Sequence, residues 1–359
     1  MDTPVKNKHS DPDHPQKYRL FSGLFFNRTK NSFCAKVADK QEGLIFIPEV
    51  TGMKPIMPPE EYPELKALGV RESFVTASDG AKIALWEKQG VPGKPHFLLF
   101  HGNTGDWVDS GPKSHRKFPN YDRHATLQFM EKIGQTGAGF TAVHMRGYGR
   151  SRTSLDPADE KFKPGEEAFS RDLDAVITHM TRVRRIPHDQ VVVAGMSMGT
   201  AVATMAAEQM TQRSQPPALL TLCNPFTRMD DLASDVVRMK YHVKVLRDEV
   251  AEYLRHPFNT EERVKNLSPA TAIYIFTSGA DSKIDPKYSA QLADSARKSG
   301  HKVFHQEVPG IEHYEVPPGI VIPTMMKNYD ESRALQMQRE WARRVMVPPA
   351  TSDLLPGRR

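Results

Sequence analysis

Cysteine is almost missing from this chain. Two in 359 residues, Cys34 and Cys223, cannot build a disulfide framework, and no Cys/His cluster has the spacing of a zinc site. That scarcity points to a reducing compartment, and a cytoplasmic location is expected. Long apolar runs are missing too. Nothing approaches the roughly 20 residues that cross a bilayer. The short stretch Leu20–Phe26 lacks the small-residue cleavage site of a secretory leader. No stable membrane insertion is expected, and Leu20–Phe26 is a candidate to dock on the folded domain instead. Arginine-rich runs interleaved with aromatics are also lacking. The net charge is +6, and residues 1–40 carry eight Lys and Arg against four Asp and Glu. That surplus reads as a solvated arm, and no nucleic-acid partner is expected. The glycine-rich turn Arg146-Gly147-Tyr148-Gly149-Arg150-Ser151 lacks the Gly-Lys-Ser/Thr ending of a phosphate loop.

What is present is a long series of strand and helix patterns. Residues 1–40 read as a loosely ordered arm, and five prolines between 48 and 63 read as an extended connector up to residue 70. Phe74–Thr76 and Ile83–Trp86 flank an Asp79-Gly80 turn, which predicts a hairpin. Apolar strands follow at 96–100, 139–144, 191–194, 218–223, 272–277 and 302–308. Helical patterns occupy 123–133, 166–185, 286–299 and 329–345, and a polar helical insertion spans 229–255. Residues 108–121 form a polar, basic loop, and residues 346–359 form a tail. This alternation predicts an α/β fold, a doubly wound and mostly parallel sheet with helices on both faces. In such a sheet the polar loops leaving the strand ends converge on one edge.

One stretch organises the rest. Val191-Val192-Val193 is a β-branched run, Ala201, Val202, Met205 and Ala206 recur at helical spacing, and between them stands Gly195-Met196-Ser197-Met198-Gly199. Gly-x-Ser-x-Gly between a strand and a helix is the context in which the motif forms a nucleophile elbow. The turn is so tight that side chains two residues either side of the serine would strike backbone.

A serine hydroxyl needs a base, and the base needs an orienting acid. On a sheet of this kind the order along the chain is serine, acid, histidine. The loop after the 272–277 strand holds Asp281 and Asp285, and the loop after the 302–308 strand holds His313. Of the 14 histidines, His313 alone follows a predicted strand end beyond the acid. Asp281 lies nearer its strand end and is favoured over Asp285. Attack on a carbonyl creates an oxyanion that needs fixed donors. The N–H of Met198 at the helix start supplies one. Asn103 or Thr104, after the 96–100 strand and beside Gly102, supplies the other.

Phe100-His101-Gly102-Asn103, Arg146-Gly147-Tyr148-Gly149-Arg150-Ser151, the Gly-x-Ser-x-Gly turn, the Asp281 loop and the His313 loop together resemble the α/β-hydrolase superfamily. The His-Gly-Asn and Arg-Gly-Tyr-Gly pair is especially similar to short-lidded serine hydrolases with acyl esterase and protein depalmitoylase members. The resemblance covers residues 71–345 and implies an α/β-hydrolase fold with a short helical cap at 228–265. By residue match it implies Ser197 as nucleophile, Asp281 and His313 as its relay, and Asn103 and Met198 as oxyanion donors. It also implies an acyl-enzyme mechanism with no cofactor and no metal. A small-molecule acyl ester or thioester is the expected substrate. A serine peptidase or amidase on the same frame and a non-catalytic binding protein of the same fold remain open. The acid loop reads Gly-x-Asp where many members have Gly-x-x-Asp, and the histidine loop reads Gly-Ile-Glu-His.

The cap segment is short. Met229, Leu232, Val236, Val237 and Met239 alternate there with Asp230, Asp231, Asp235, Arg238 and Lys240. A two-helix cap of this size cannot enclose a long lipid, and methionine adapts to varied small shapes. The expected outcome is faster turnover of short-to-medium acyl esters than of emulsified triglycerides, measured as rate against acyl length. A rate that climbs to the longest chains with activation at a lipid interface would overturn it.

Overall fold

The computed structural model describes residues 46, 56–103, 125–152, 163–241 and 254–346. The Leu20–Phe26 stretch, Thr104, the basic loop at 108–121, residues 242–253 of the cap and the tail beyond Met346 lie outside the described residues.

Among the described residues eight strands form one sheet. They are β1 (Arg71–Thr76), β2 (Lys82–Lys88), β3 (His96–Phe100), β4 (Gly139–Val143), β5 (Val191–Met196), β6 (Leu219–Cys223), β7 (Ala272–Ser278) and β8 (Val303–Val308). Their spatial order is β1-β2-β4-β3-β5-β6-β7-β8. The first two pairings, β1 with β2 and β2 with β4, are antiparallel, and all the others are parallel. The central strands β3, β4, β6 and β7 are buried at every residue. Their near-continuous apolar sequences follow from having both faces covered.

Alternate strand residues feed two cores. Leu98, Phe100, Val191, Val193, Leu220, Leu222, Ile273 and Ile275 face one side. There they meet Phe169, Leu173 and Val176 of α2 (Glu166–Thr178), Val202 and Met205 of α3 (Met198–Gln212), and Tyr288 and Leu292 of α6 (Lys287–Lys298). Phe97, Leu99, Phe140, Val192, Leu219, Tyr274 and Phe276 face the other side. These meet Leu127, Met130 and Ile133 of α1 (Ala125–Gln135) and Val321, Ile322 and Met325 of α7 (Pro318–Met346). Each large side chain so buried contributes about 1.5–3 kcal/mol relative to exposure. Two further helices, α4 (Met229–Tyr241) and α5 (Thr260–Lys265), flank the segment between β6 and β7.

Three elements differ from the sequence expectation. The proline-rich connector is not extended over its described part. Residues Pro59–Glu61 and Pro63–Ala67 are helical turns, each with proline in its first turn where no N–H bond is lost, and Leu65 is fully buried. The last helix begins at Pro318 rather than Tyr329. It carries Pro323 inside it, which masked its first part in the sequence. The burial of Val321, Ile322, Met325 and Tyr329 on one stripe holds that part helical. The helix from Glu166 ends as α-helix at Thr178 and continues as a wider turn over His179–Val183. Near the start of the connector, Phe46 is buried, its ring 5.8 Å from Phe169 and 6.0 Å from Phe258.

The Arg146–Ser151 turn after β4 acts as a brace. Arg146 is completely buried. Its Nε donates to both carboxylate oxygens of Asp172 in α2 at 3.1 Å, and its Nη1 donates to Asp79 Oδ2 at 2.6 Å. Asp79 belongs to the β1–β2 turn and also receives Arg171 at 2.8 Å. Burial pushes the Asp172 carboxyl up to about 6 against the pull of Arg146. Burial also works to raise Asp79, but Arg146 and Arg171 outweigh it and hold it at about 2. Arg150 pairs the Nε–Nη2 edge of its guanidinium with both carboxylate oxygens of Glu72 of β1, at 2.8 Å each. Ser151 Oγ donates to the His144 carbonyl at 2.5 Å and accepts the Ala84 N–H of β2 at 2.8 Å. The glycine-rich turn therefore ties the antiparallel hairpin to the end of β4. Removing one partner of a buried ion pair leaves an uncompensated charge, at a cost of about 3–5 kcal/mol. Arg146→Ala is expected to lose stability of that order in urea unfolding, and the Arg146→Ala/Asp172→Asn double variant to regain part of it. Equal stability of Arg146→Ala and the natural chain would show that the brace carries no load.

Candidate active site

β5 runs into Ser197, whose φ of 54° and ψ of −123° lie outside the usual regions for a residue with a Cβ. The backbone around it leaves no room for side chains. A Cβ at Gly195 would sit 2.1 Å from the Gly199 carbonyl oxygen, and one at Gly199 would sit 2.4 Å from that of His101. Both glycines are required by contact. The Ser197 N–H donates to the Cys223 carbonyl at the end of β6, at 2.9 Å, and α3 starts at Met198. Ser197 thus stands on a fixed turn between the ends of β5 and β6. Burial pushes the nearby Cys223 thiol up to about 12, so it stays protonated at neutral pH.

The loops leaving β7 and β8 bring Asp281 and His313 to the same edge. His313 Nε2 lies 3.0 Å from Ser197 Oγ, and His313 Nδ1 lies 2.6 Å from Asp281 Oδ2. Asp281 Oδ1 accepts the N–H groups of Lys283 and Ile284 at 2.8 Å each. These bonds occupy the carboxylate on one side and leave the other for the imidazole. With a carboxylate at Nδ1, the proton of a neutral ring sits on Nδ1, and Nε2 is the acceptor for the serine hydroxyl. His313 is 4% exposed and Asp281 9%, so the bond between them is shielded from water and strengthened. Glu312, whose carboxylate accepts the Ser282 N–H at 3.1 Å, links the acid and histidine loops. Asp285 goes elsewhere. It accepts the Lys287 N–H at the start of α6 and pairs with Lys287 Nζ at 3.2 Å.

On the other side of the serine, Gly102 comes so close that a Cβ there would lie 3.5 Å from Ser197 Cβ. Asn103 is the next residue. Met198, which opens α3, is 3% exposed. Two residues of the sequence motifs, to which sequence reasoning gave no role of their own, hold this loop. Tyr148 donates its hydroxyl to Asn103 Oδ1 at 2.6 Å. His101, 1% exposed, accepts the Met145 N–H at Nε2 and donates from Nδ1 to the Gly102 carbonyl at 2.8 Å. Burial pushes its imidazole down to about 4, with the Gly102 bond opposing, so it stays neutral and keeps one tautomer. The His101 and Tyr148 rings meet edge to face, 5.2 Å apart. The sequence signals were that both residues fall just past neighbouring strand ends and that each lies in one of the two motifs, His-Gly-Asn and Arg-Gly-Tyr-Gly, that carried the family resemblance.

The cap is described in part. In α4, Met229 is buried and Leu232 packs against the core. Asp235 accepts Lys287 Nζ at 2.6 Å and the Tyr288 hydroxyl at 2.5 Å, which ties α4 to α6. The side chains of Val236, Val237 and Met239 lie outside the described residues. Among the described residues no group of three or more His, Cys, Asp or Glu could hold a metal ion, and no helix is long and apolar enough to cross a membrane.

Comparisons with known proteins agree with the fold. The family model described as alpha/beta hydrolase fold matches residues 95–252. A curated relative, the lysophosphatidylserine lipase ABHD12 of Danio rerio, is 25% identical over 266 residues, which is 69% of this chain and 62% of the relative's length. An alpha-beta hydrolase from Vibrio vulnificus superposes with a TM-score of 0.54 at 16% identity, covering 72% of this chain and 81% of its own. The Pyrococcus furiosus esterase Pf2001 superposes with a TM-score of 0.51 at 14% identity, covering 74% and 91%. With its strand order, its strand–turn–helix at Ser197 and these matches, the chain has the α/β-hydrolase fold.

Proposed function

We propose that the protein is a serine hydrolase that cleaves a carboxylic ester or thioester through an acyl-enzyme. The observation that carries this reading is the unbroken hydrogen-bonded line from Ser197 Oγ through His313 to Asp281, at 3.0 and 2.6 Å. In the proposed reaction Ser197 Oγ attacks the acyl carbon while His313 Nε2 takes its proton. Asp281 holds the ring and stabilises the imidazolium. The oxyanion is received by the N–H groups of Asn103 and Met198. His313 then gives the proton to the departing alkoxide or thiolate. Water repeats the sequence on the acyl-enzyme and releases the acid. No step draws on a cofactor. The proposed catalytic unit is residues 71–345, with 228–265 as its cap and residues 1–70 and 346–359 as accessories. The relative named as a lysophosphatidylserine lipase puts lipid esters on the substrate panel beside simple acyl esters, thioesters and aminoacyl amides.

Labelling with a fluorophosphonate probe tests the reading directly. The natural chain is expected to be labelled at Ser197, and Ser197→Ala to lose both labelling and turnover. Ser197→Ala and His313→Ala are each expected to reduce kcat by roughly 10⁴-fold or more, because the two act as one unit. Asp281→Asn is expected to be nearly as damaging through the wrong imidazole tautomer, while Asp285→Asn stays within about threefold of the natural rate. Full activity in a folded Ser197→Ala protein would end the serine-hydrolase reading. A larger loss from Asp285→Asn than from Asp281→Asn would mean the wrong carboxylate was chosen.

A further inference from the structure

The base of the proposed reaction sits on a loop, and a loop needs anchoring if its imidazole is to stay within hydrogen-bond reach of Ser197. The His313 main chain has such an anchor in a residue that no motif pointed to. Asn224 follows the last residue of β6. It is 2% exposed and has a φ of 53°, a left-handed conformation that asparagine tolerates better than most residues. Its backbone N–H donates to the Phe276 carbonyl of β7 at 2.9 Å. Its carboxamide Oδ1 accepts the Ser278 N–H at 2.8 Å. Its Nδ2 donates to Ser278 Oγ at 3.1 Å and to the His313 carbonyl at 3.1 Å.

These partners determine the side-chain chemistry. The Ser278 N–H can only donate and the His313 carbonyl can only accept, so the group between them must offer one acceptor and one donor on adjacent atoms. A carboxamide does this. A carboxylate would set an oxygen against the His313 carbonyl. An apolar side chain would leave two buried backbone groups without partners. Ser278 and His313 are themselves buried, so water cannot substitute. The neighbouring residue completes the pattern. Cys223 accepts the Ser197 N–H, so consecutive residues at the end of β6 hold the backbone of the serine and the backbone of the histidine.

We propose that Asn224 is a positioning residue whose carboxamide clamps the His313 main chain to the end of β7, and so sets the imidazole between Asp281 and Ser197. It touches no reacting atom and acts through His313. The proposal rests on the serine-hydrolase reading.

Two variants separate the clamp from the backbone. Asn224→Gly accepts the positive φ and removes the carboxamide. Asn224→Asp keeps an acceptor for the Ser278 N–H and loses the donor to His313. For each, kcat and KM are measured on a soluble p-nitrophenyl ester, together with the second-order rate of fluorophosphonate labelling at Ser197. Expressing kcat per labelled serine removes any unfolded fraction from the comparison. Both variants are expected to lose roughly 10- to 100-fold in kcat and in labelling rate, with KM within about threefold, because a misplaced base slows chemistry without touching substrate binding. Two variants differing in backbone strain and charge leave one to read should the other not fold. A folded variant of either kind with kcat and labelling within threefold of the natural chain overturns the positioning role alone. A natural chain that takes no label at Ser197 overturns the hydrolase reading, and the positioning role with it.

Discussion

The close approach of backbone to backbone at the end of β5 is the constraint on which the rest depends. Gly195 and Gly199 meet across the Ser197 turn, and Gly199 also presses on the carbonyls of Phe100 and His101. No side chain fits at either position, so β3, β5 and α3 lock together with one geometry. The strain at Ser197, of order 1–3 kcal/mol for a residue in a sparse region, is offset by the packing of a helix whose inward side chains are nearly all buried. The same contact brings Gly102 beside the serine, so the loop carrying Asn103 arrives there without further instruction.

A second constraint is topological. Five consecutive parallel strands, β3, β5, β6, β7 and β8, end on the same edge, and their loops have nowhere else to go. Residues 84 and 116 positions beyond Ser197 are thereby brought against it. Proximity alone does not aim a side chain. Asp281 is aimed by two backbone N–H groups, and His313 by Asp281 on one side and by the Asn224 bond to its carbonyl on the other. Burial removes water as a competitor for the Ile284, His313 and Asn224 bonds, which strengthens them and makes each costly to leave unmade.

Charge placed inside the fold serves the opposite half of the site. Arg146 is buried between Asp79 and Asp172, where an unpaired guanidinium could not remain. Arg150 and Ser151 add bonds to β1, to β2 and to His144 just past β4. Tyr148, in the middle of this rigid turn, reaches Asn103. The antiparallel hairpin at the sheet edge therefore supports the loop carrying Asn103 through ion pairs and one tyrosine hydroxyl.

Much of this was legible along the chain, because the requirements involved are local. A buried strand must be apolar, a tight turn before a helix must have glycine where backbones meet, and parallel connectivity orders serine, acid and histidine in sequence. The hairpin at Asp79-Gly80, the elbow at Ser197 and the strand ends before Asp281 and His313 follow from such rules. Other features depend on partners far away in the chain, and only the folded structure decided them. Asp281 and Asp285 are four residues apart in one loop, and their different directions come from the Lys283 and Ile284 N–H groups and from the start of α6. Pro323 stays within a helix because its neighbours are buried against the sheet. The roles of Asp79 as a counter-ion, Tyr148 as a prop and Asn224 as a clamp are set by residues 67, 45 and 89 positions away. Local pattern encodes which backbone forms. It carries no record of which buried donor finds which acceptor, because that pairing exists only once the sheet has assembled.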